Sequence, residues 1–493
     1  MSKYKLHPIT SIIYFVKSLK EMIVPLVLIV LANGFNFSLD MDSEGFFSGL
    51  VPFMAMIVVL LYILLNGIIK WLTFTYWFEE QELRVQYGLF VKKRRFIPFD
   101  RIQTLNYKEG IFHRPFGLVL VKVETAGSSN GKADAEFTAI TKHAAAQIEL
   151  EMNKAKGKQV MHTDVEVEEP VVFKMSAIEQ MMLATTSGGI GVIIFSVLAV
   201  LTQLIEYLPI DRIVDGFASF VETGVVLVVI VVFIGLVIAW LLSIAWTMIS
   251  YFDFKVTVEQ ERIVISHGLL EKKRMTIPLN RVQAVQIIEN PLRQLFGFAT
   301  VRIESAGGGS GEKGEGLTAS VKLFPLIKKK SMYEPLQRLF PYLNLEHAEA
   351  TFQSPKKARP FFYRLNFLWY VPAVAACGYF LFPYGLLAAF IVVPIVAYGF
   401  WRHQTARAQY IGNQIAFTYR NFSKVTFIAQ KRRIQIMNKS QTLFQKRRQI
   451  ATVTIVVKSG EVGAEAKAYH MEQTHMDQLL DWYEHREKSD TTL

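Results

Sequence analysis

The chain has 493 residues, 51% of them hydrophobic, and its 54 Lys and Arg against 42 Asp and Glu give a formal charge of +12. That length accommodates roughly three domains at about 150 residues each, and the basic excess points to an anionic partner, either nucleic acid or an anionic membrane surface. A single cysteine, Cys377, excludes an intrachain disulfide and gives no sign of an oxidising compartment.

In chain order, uncharged stretches run from Met22 to Leu39, Gly45 to Ile69, Gln180 to Ile205, Thr223 to Phe252 and Leu365 to Trp401. A helix crosses a bilayer with about 20 apolar residues, so the first four runs each predict one crossing. The first begins late and has no small-residue cleavage site before the next, which predicts a retained helix rather than a removed signal. The fifth is too long for one comfortable crossing, and Phe382-Pro383-Tyr384-Gly385 near its middle is a turn signal. It predicts two short helices in a tight hairpin. The expectation is a multi-pass plasma-membrane protein with six transmembrane helices in three hairpins. The loop after the first run carries Asp40, Asp42 and Glu44 and no Lys or Arg, whereas the N-terminus and the segments between hairpins are basic. The positive-inside bias then places both termini and those segments in the cytoplasm. The runs hold no ionisable side chain, which argues against a proton-coupled transporter or pump.

The segments between the apolar runs repeat. The first copy reads Gly88-Leu89, Lys92-Lys93-Arg94, Ile97-Pro98, Arg101, Gln103, Phe116-Gly117, Glu124 and Ala126-Gly127. The second, 180 positions on, reads Gly268-Leu269, Lys272-Lys273-Arg274, Ile277-Pro278, Arg281, Gln283, Phe296-Gly297, Glu304 and Ala306-Gly307. A weaker third keeps Arg433-Ile434-Gln435 and Ala451-Thr452-Val453, and puts Arg448-Gln449 where the others have Phe-Gly. A repeat sets the architectural unit before any single motif does. The predicted division is an N-terminal segment with hairpin 1 over 1–75, module 1 over 76–160, and a linker over 161–178. Hairpin 2 follows over 179–252, module 2 over 253–345, and a basic linker over 346–364. Hairpin 3 covers 365–401, module 3 covers 402–487, and a tail covers 488–493.

Within the modules apolar residues alternate, as in Val119, Val121 and Val123 or Val256 and Val258, which predicts strands. The Ile-Pro pairs mark strand edges, because proline donates nothing to a ladder. The stretches Lys142 to Lys156 and Lys328 to Leu339 are amphipathic and predict a helix closing each module. Antiparallel strands with one terminal helix make an α+β module. A hydrophobic hairpin followed by this set of residues resembles the bacterial pleckstrin-homology-like (PH-like) membrane proteins, in a triplicated form. The resemblance covers nearly the whole chain. It implies three PH-like barrels, each with a C-terminal helix, no enzymatic activity and no cofactor. It also implies a smaller single-module PH-like membrane protein of the YdbS type as partner.

Candidate contact residues are the basic clusters. Lys92, Lys93 and Arg94, and again Lys272, Lys273 and Arg274, are expected on short loops. There each charge near an anionic leaflet contributes about 1 kcal/mol. Module 3 carries 12 Lys and Arg and no acidic residue between Arg402 and Lys458. Its densest runs, Lys431-Arg432-Arg433 and Lys446-Arg447-Arg448, are expected to be the main contact for anionic lipid or an acidic partner surface. Gly88, Pro98, Arg101, Gln103 and Gly117, with Gly268, Pro278, Arg281, Gln283 and Gly297, are expected to hold the fold. Gly307 to Lys313 resembles a phosphate loop but lacks the Lys-[Ser/Thr] ending, so it reads as a flexible strand–strand loop. No His-Glu-x-x-His, Cys-x-x-Cys or Gly-x-Ser-x-Gly occurs, so neither a metal site nor a nucleophile is expected. Nucleic acid is not expected for modules tethered to a bilayer. The reading is a non-catalytic membrane scaffold. The resemblance suggests cell-envelope homeostasis or resistance to membrane-active antimicrobial agents as its setting. The alternative is a component of a membrane export or transport complex.

Overall fold

The structure, a computed structural model, describes residues 3–32, 46–125, 133–155, 170–186, 221–259, 261–306, 320–343, 351–363, 367–380, 390, 392–460 and 462–484. Backbone alone is described for 23–32, 46–53, 55–56, 103, 221–233, 351 and 367–369.

The same order of strands is written three times. The first set is β1 Tyr4–Lys5, β2 Thr75–Glu79, β3 Glu82–Tyr87, β4 Lys93–Pro98, β5 Ile102–Glu109, β6 Leu118–Thr125 and β7 Ala135–Thr141. The second is β8 Val171–Lys174, β9 Lys255–Glu259, β10 Arg262–His267, β11 Lys272–Pro278, β12 Val282–Glu289, β13 Phe298–Ser305 and β14 Ser320–Lys328. The third is β15 Thr351–Gln353, β16 Arg407–Ile411, β17 Gln414–Arg420, β18 Lys424–Gln430, β19 Ile434–Ser440, β20 Ile450–Val457 and β21 Ala464–Glu472. Helices α1 Ile9–Ala32 and α2 Phe46–Thr73 separate β1 from β2, and α3 Lys142–Ala155 follows β7. In the second set α4 Ala177–Thr186 and α5 Val221–Ser250 precede β9, α6 Pro291–Leu295 joins β12 to β13, and α7 Tyr333–Leu339 follows β14. In the third, α8 Arg359–Phe362, α9 Phe367–Phe380 and α10 Val392–Thr405 precede β16, α11 Leu443–Arg447 joins β19 to β20, and α12 Gln473–Glu484 closes the set.

The chain divides into two compact units. The first comprises Met1–Ser128, Lys132–Glu168 and Leu270–Thr276. It holds the sheet β1-β2-β3-β4 and the ladder β7-β6-β5, with Lys272–Arg274 of β11 added antiparallel on the outer edge of β5. Alternation buries Leu83, Val85, Val121 and Val123, and α3 presents Ala145, Ile148 and Met152 to the same core. Those three share one helical face, which is why this Ala-rich stretch packs as a helix.

The second unit comprises Ser129–Gly131, Glu169–Leu269 and Ile277–Leu493. One seven-stranded sheet runs β14-β13-β12-β18-β17-β16-β15, and a second ladder runs β19-β20-β21. The third-set core gathers Phe417, Phe427, Val453 and Ile455 with Met476 and Leu479 of α12.

Two expectations are corrected. No module is a closed barrel: its first four strands and its last three lie in separate sheets. The physical reason is the 3₁₀ turn between fourth and fifth strands, at Phe99–Arg101, Leu279–Arg281 and Lys431–Arg433. The turn takes the chain out of one ladder, and the fifth strand then spends its outer edge on the next set. The six membrane-spanning helices are also overturned: among the described residues, no helix is long and apolar enough to cross a membrane. Helices α9 and α10 have 14 residues each. The multi-pass plasma-membrane placement and the cytoplasmic sidedness rested on those spans and go with them. Asp40, Asp42, Glu44, the Phe382–Gly385 turn and the Gly307–Lys313 loop lie outside the described residues.

Candidate interaction surfaces

Three kinds of surface carry the chemistry: the ladder that joins one strand set to the next, the loops after the fifth strands, and the basic runs of the third set.

The joining ladder is seen complete in the second unit. Strand β18 lies antiparallel on β12, with Lys424 opposite Glu289, Thr426 opposite Ile287 and Ala429 opposite Ala284. Glu289 is buried and stands 3.0 Å from Lys424 Nζ and 3.4 Å from Lys329 Nζ. In the first unit β11 meets β5 in the equivalent register, with Lys272 opposite Glu109, Lys273 opposite Lys108 and Arg274 opposite Tyr107. Glu271 neutralises this ladder, 2.6 Å from Lys108 Nζ and 3.6 Å from Lys273 Nζ. Lys272, Lys273 and Arg274, expected on a loop, therefore sit in a strand. Lys92 precedes β4, Lys93 and Arg94 begin it, and all three are exposed.

Behind the ladders lie two buried carboxylates from equivalent repeat positions. Glu124 accepts from Thr104 Oγ1 at 2.9 Å and from Asn106 Nδ2 at 3.2 Å. Glu304 accepts from Gln286 Nε2 at 2.8 Å and from the Ser459 hydroxyl. Burial pushes the Glu304 carboxyl above its ordinary range, against the hydrogen bond from Ser459 and the charge of Arg302.

The loops after the fifth strands expose large apolar side chains in all three sets. They are Ile111, Phe112 and Phe116 in the first, Leu292, Leu295 and Phe296 in the second, and Leu443 and Phe444 in the third. Leu295 is 78% exposed and Leu443 80%, so these are tips rather than rims of the core. In the third set Thr442 and Gln445 cap α11 reciprocally, fixing the tip, and Lys446, Arg447 and Arg448 follow it exposed. In the second set Asn290 Nδ2 donates to Thr186 O at 3.2 Å and Arg293 Nε to Thr186 Oγ1 at 3.0 Å, anchoring the loop to the end of α4. Burial pushes the Arg293 guanidinium down to about 10. In the same unit α5 exposes Ile238, Leu242 and Trp246. The sequence reading missed these tips; Phe116 and Phe296 recurring beside Gly were the available signal.

The other basic run is partly engaged. Lys431 Nζ lies 5.0 Å from the Trp482 ring, and both line a cleft of about 590 Å³ with Tyr410, Asn413 and Asp481. Arg432 Nε donates to Gln430 Oε1 at 2.8 Å and Arg433 Nη2 to Asn280 O at 2.6 Å. Arg448 Nη1 donates to Lys357 O at 3.0 Å. Lys439 pairs with Asp477, so part of the counter-charge for this basic set comes from its own last helix. Arg420, 1% exposed, stacks 3.7 Å from the Trp401 ring centroid and donates to Gln294 Oε1 at 2.7 Å.

At the repeat positions, Gly88 and Gly268 take φ of +105° and +108°, and a Cβ on Gly88 would meet Val91 O at 2.2 Å. Gly117 and Gly297 are left-handed, and Gln449 adopts the same conformation at φ +52° without being glycine. Pro98 and Pro278 end β4 and β11. Gln283 is buried and donates to Arg281 O at 2.9 Å. Arg101 is exposed, and the Gln103 side chain lies outside the described residues. Among the described residues no group of three or more His, Cys, Asp or Glu side chains is arranged to hold a metal ion.

Three strand sets of one design, each with an exposed apolar loop after its fifth strand, define a protein built from one repeated α+β module. The bacterial PH domain model matches residues 24–156, 192–353 and 366–487, so the chain belongs to the bacterial PH-domain family in triplicate. The modules of this family are non-catalytic and suit contact with lipid or protein. The chain is 34% identical over 505 aligned positions to UPF0699 transmembrane protein YdbT of Bacillus subtilis (strain 168), covering 99% of both chains. No solved structure matches it. The expected multi-pass membrane character is corrected by the helices described above, whatever the relative's name says of the relative.

Proposed function

We propose that the chain is a non-catalytic scaffold whose PH modules contact an anionic lipid surface through the tips after their fifth strands. The observation that carries this is the threefold recurrence of exposed aromatic and aliphatic side chains on these short loops, with Lys446 and Arg447 exposed beside the third. An exposed apolar tip has no packing partner in water, and a lipid interface supplies one at its acyl boundary. Each nearby Lys or Arg adds about 1 kcal/mol toward an anionic leaflet. The exposed side chains of α5 extend the same chemistry in the second unit.

Co-sedimentation of the full chain with phosphatidylcholine vesicles, with and without phosphatidylserine, tests this. Binding is expected only with the anionic lipid, and it weakens with salt. Leu443→Ser with Phe444→Ser weakens it, and so does Lys446→Glu with Arg447→Glu. Equal binding to neutral vesicles, or variants that bind like the parent, defeat the reading.

A further inference from the structure

The joining ladder is made twice inside the chain, and it leaves one strand of the same kind over. The fourth strands β4, β11 and β18 are equivalent, each running into a 3₁₀ turn at Phe99, Leu279 or Lys431. Strand β11 covers the fifth strand β5, and β18 covers β12, in the equivalent register. Among the described residues β4 bonds only to β3 and forms the outer edge of its sheet. The consequence shows in burial at equivalent positions: Phe427 and Ile428 of β18 are buried, whereas Arg95 and Phe96 of β4 are exposed, Phe96 by 55%.

The side chains on that edge specify what fits it. Lys92-Lys93-Arg94 repeats the triplet Lys272-Lys273-Arg274, which meets Tyr107, Lys108 and Glu109 of β5. The covered ladders carry their own carboxylates, Glu271 and Glu109 in one and Glu289 in the other. Strand β4 has the uncharged Val91 at the position of Glu271, and among the described residues no carboxylate forms an ion pair with Lys92, Lys93 or Arg94. The remaining fifth strand, β19, is the other outer edge of this type, but it is chemically wrong for β4. Gln441 stands at the position of Glu289 and is turned inward, donating to Ile450 O and Gln473 Oε1 at 2.9 Å each. In the same register Lys439 would face Arg94, and like charges directly opposite destabilise a ladder. A second copy of the chain is therefore a poor occupant.

We infer that the β4 edge docks an antiparallel strand from another protein, the open fifth-strand edge of a PH-like sheet that ends on a carboxylate opposite Lys92. Backbone hydrogen bonds supply the affinity of strand addition, and the side-chain register supplies the selection. An edge guarded only by its lysines, as many exposed edges are, takes up no such strand.

The test uses the full chain and a fluorescent peptide with the β5 sequence, residues 102–109, as the probe. Saturable binding is expected. Lys92→Glu in the chain weakens it about fivefold, Lys330→Glu at an exposed lysine outside every ladder leaves it unchanged, and a peptide with Glu109→Lys restores it on Lys92→Glu. No saturable binding, or binding indifferent to the charge swap, overturns the inference. So does concentration-dependent growth of the chain alone in sedimentation that Asn438→Pro on β19 abolishes, since a second copy then holds the edge.

Discussion

Lys424 of the third strand set places its ammonium 3.0 Å from the Glu289 carboxylate of the second, across the ladder between β18 and β12. Glu289 is 4% exposed at its side chain and Lys424 20%, so water screens the pair poorly. Burial pushes the Lys424 pKa down, and Glu289 opposes that shift. Glu289→Gln strands two ammonium groups, Lys424 and Lys329, beside a neutral amide. Breaking a buried pair from one side costs roughly 3 kcal/mol, and replacing both partners with apolar groups recovers most of it. Hydrogen exchange of the full chain is expected to show faster amides on β12 and β18 in Glu289→Gln. The double variant Glu289→Met with Lys424→Met should sit near the parent. Unchanged protection in Glu289→Gln contradicts the role given to the pair.

Gln449 holds a backbone conformation that Gly117 and Gly297 hold elsewhere in the repeat, at φ +52° against +63° and +70°. A left-handed residue with a Cβ costs about 1 kcal/mol relative to glycine. Gln449→Gly is therefore expected to stabilise the third set by about 1 kcal/mol. Gly297→Ala is expected to destabilise the second by a similar amount, since its Cβ would meet nothing within 4 Å and the cost is conformational alone. Chemical denaturation followed by exchange at β20 and β13 reads both. A destabilised Gln449→Gly, a stabilised Gly297→Ala, or no change in either removes the argument.

What the sequence made legible is local, and what it hid is pairing. Gly88 and Gly268 marked turns because positive φ excludes most residues, and Pro98 and Pro278 marked strand ends because proline cannot donate. Alternation placed Val119, Val121 and Val123 on a strand. Nothing local says whether a fifth strand closes on its own set or takes one from about 160 residues away. Closure was the default, and Lys272 opposite Glu109 is the correction. The apolar runs were counted by hydropathy alone, which registers burial and exposure alike. Leu443 and Phe444 escaped notice for the related reason that apolar residues in a short connection are read as buried unless something marks them as exposed.

Lys446 and Arg447 are exposed beside an apolar tip, whereas Arg433 and Arg448 spend their guanidinium groups on the Asn280 and Lys357 carbonyls. These two pairs of basic residues should therefore separate in a vesicle assay. Neutralisation of Lys446 and Arg447 to Gln is expected to remove about 2 kcal/mol of attraction to an anionic surface, counting about 1 kcal/mol per charge. Arg433→Gln and Arg448→Gln should lower thermal stability more than lipid contact. The reverse order would move the contact away from α11.

Glu304 gives the chain a defined pH dependence. Its carboxyl is buried, accepts from Gln286 and Ser459, and is pushed above its ordinary value of 4.5 by that burial. A raised folded pKa means the folded chain keeps this proton to higher pH than the unfolded chain does. Between the ordinary value and the raised one the folded state binds more protons, so stability from this group falls as pH rises through that window. Below the window both states are protonated and the penalty vanishes. Glu304→Gln keeps the shape and an acceptor oxygen and carries no charge at any pH. Urea midpoints of the parent should therefore decline relative to Glu304→Gln as pH rises from about 4.5 toward neutrality. Because the comparison is a difference between two chains alike at every other titrating site, those sites cancel to first order. Parallel midpoints across that range would show that Glu304 is ionised as readily in the fold as in the open chain, and that its hydrogen bonds already offset its burial.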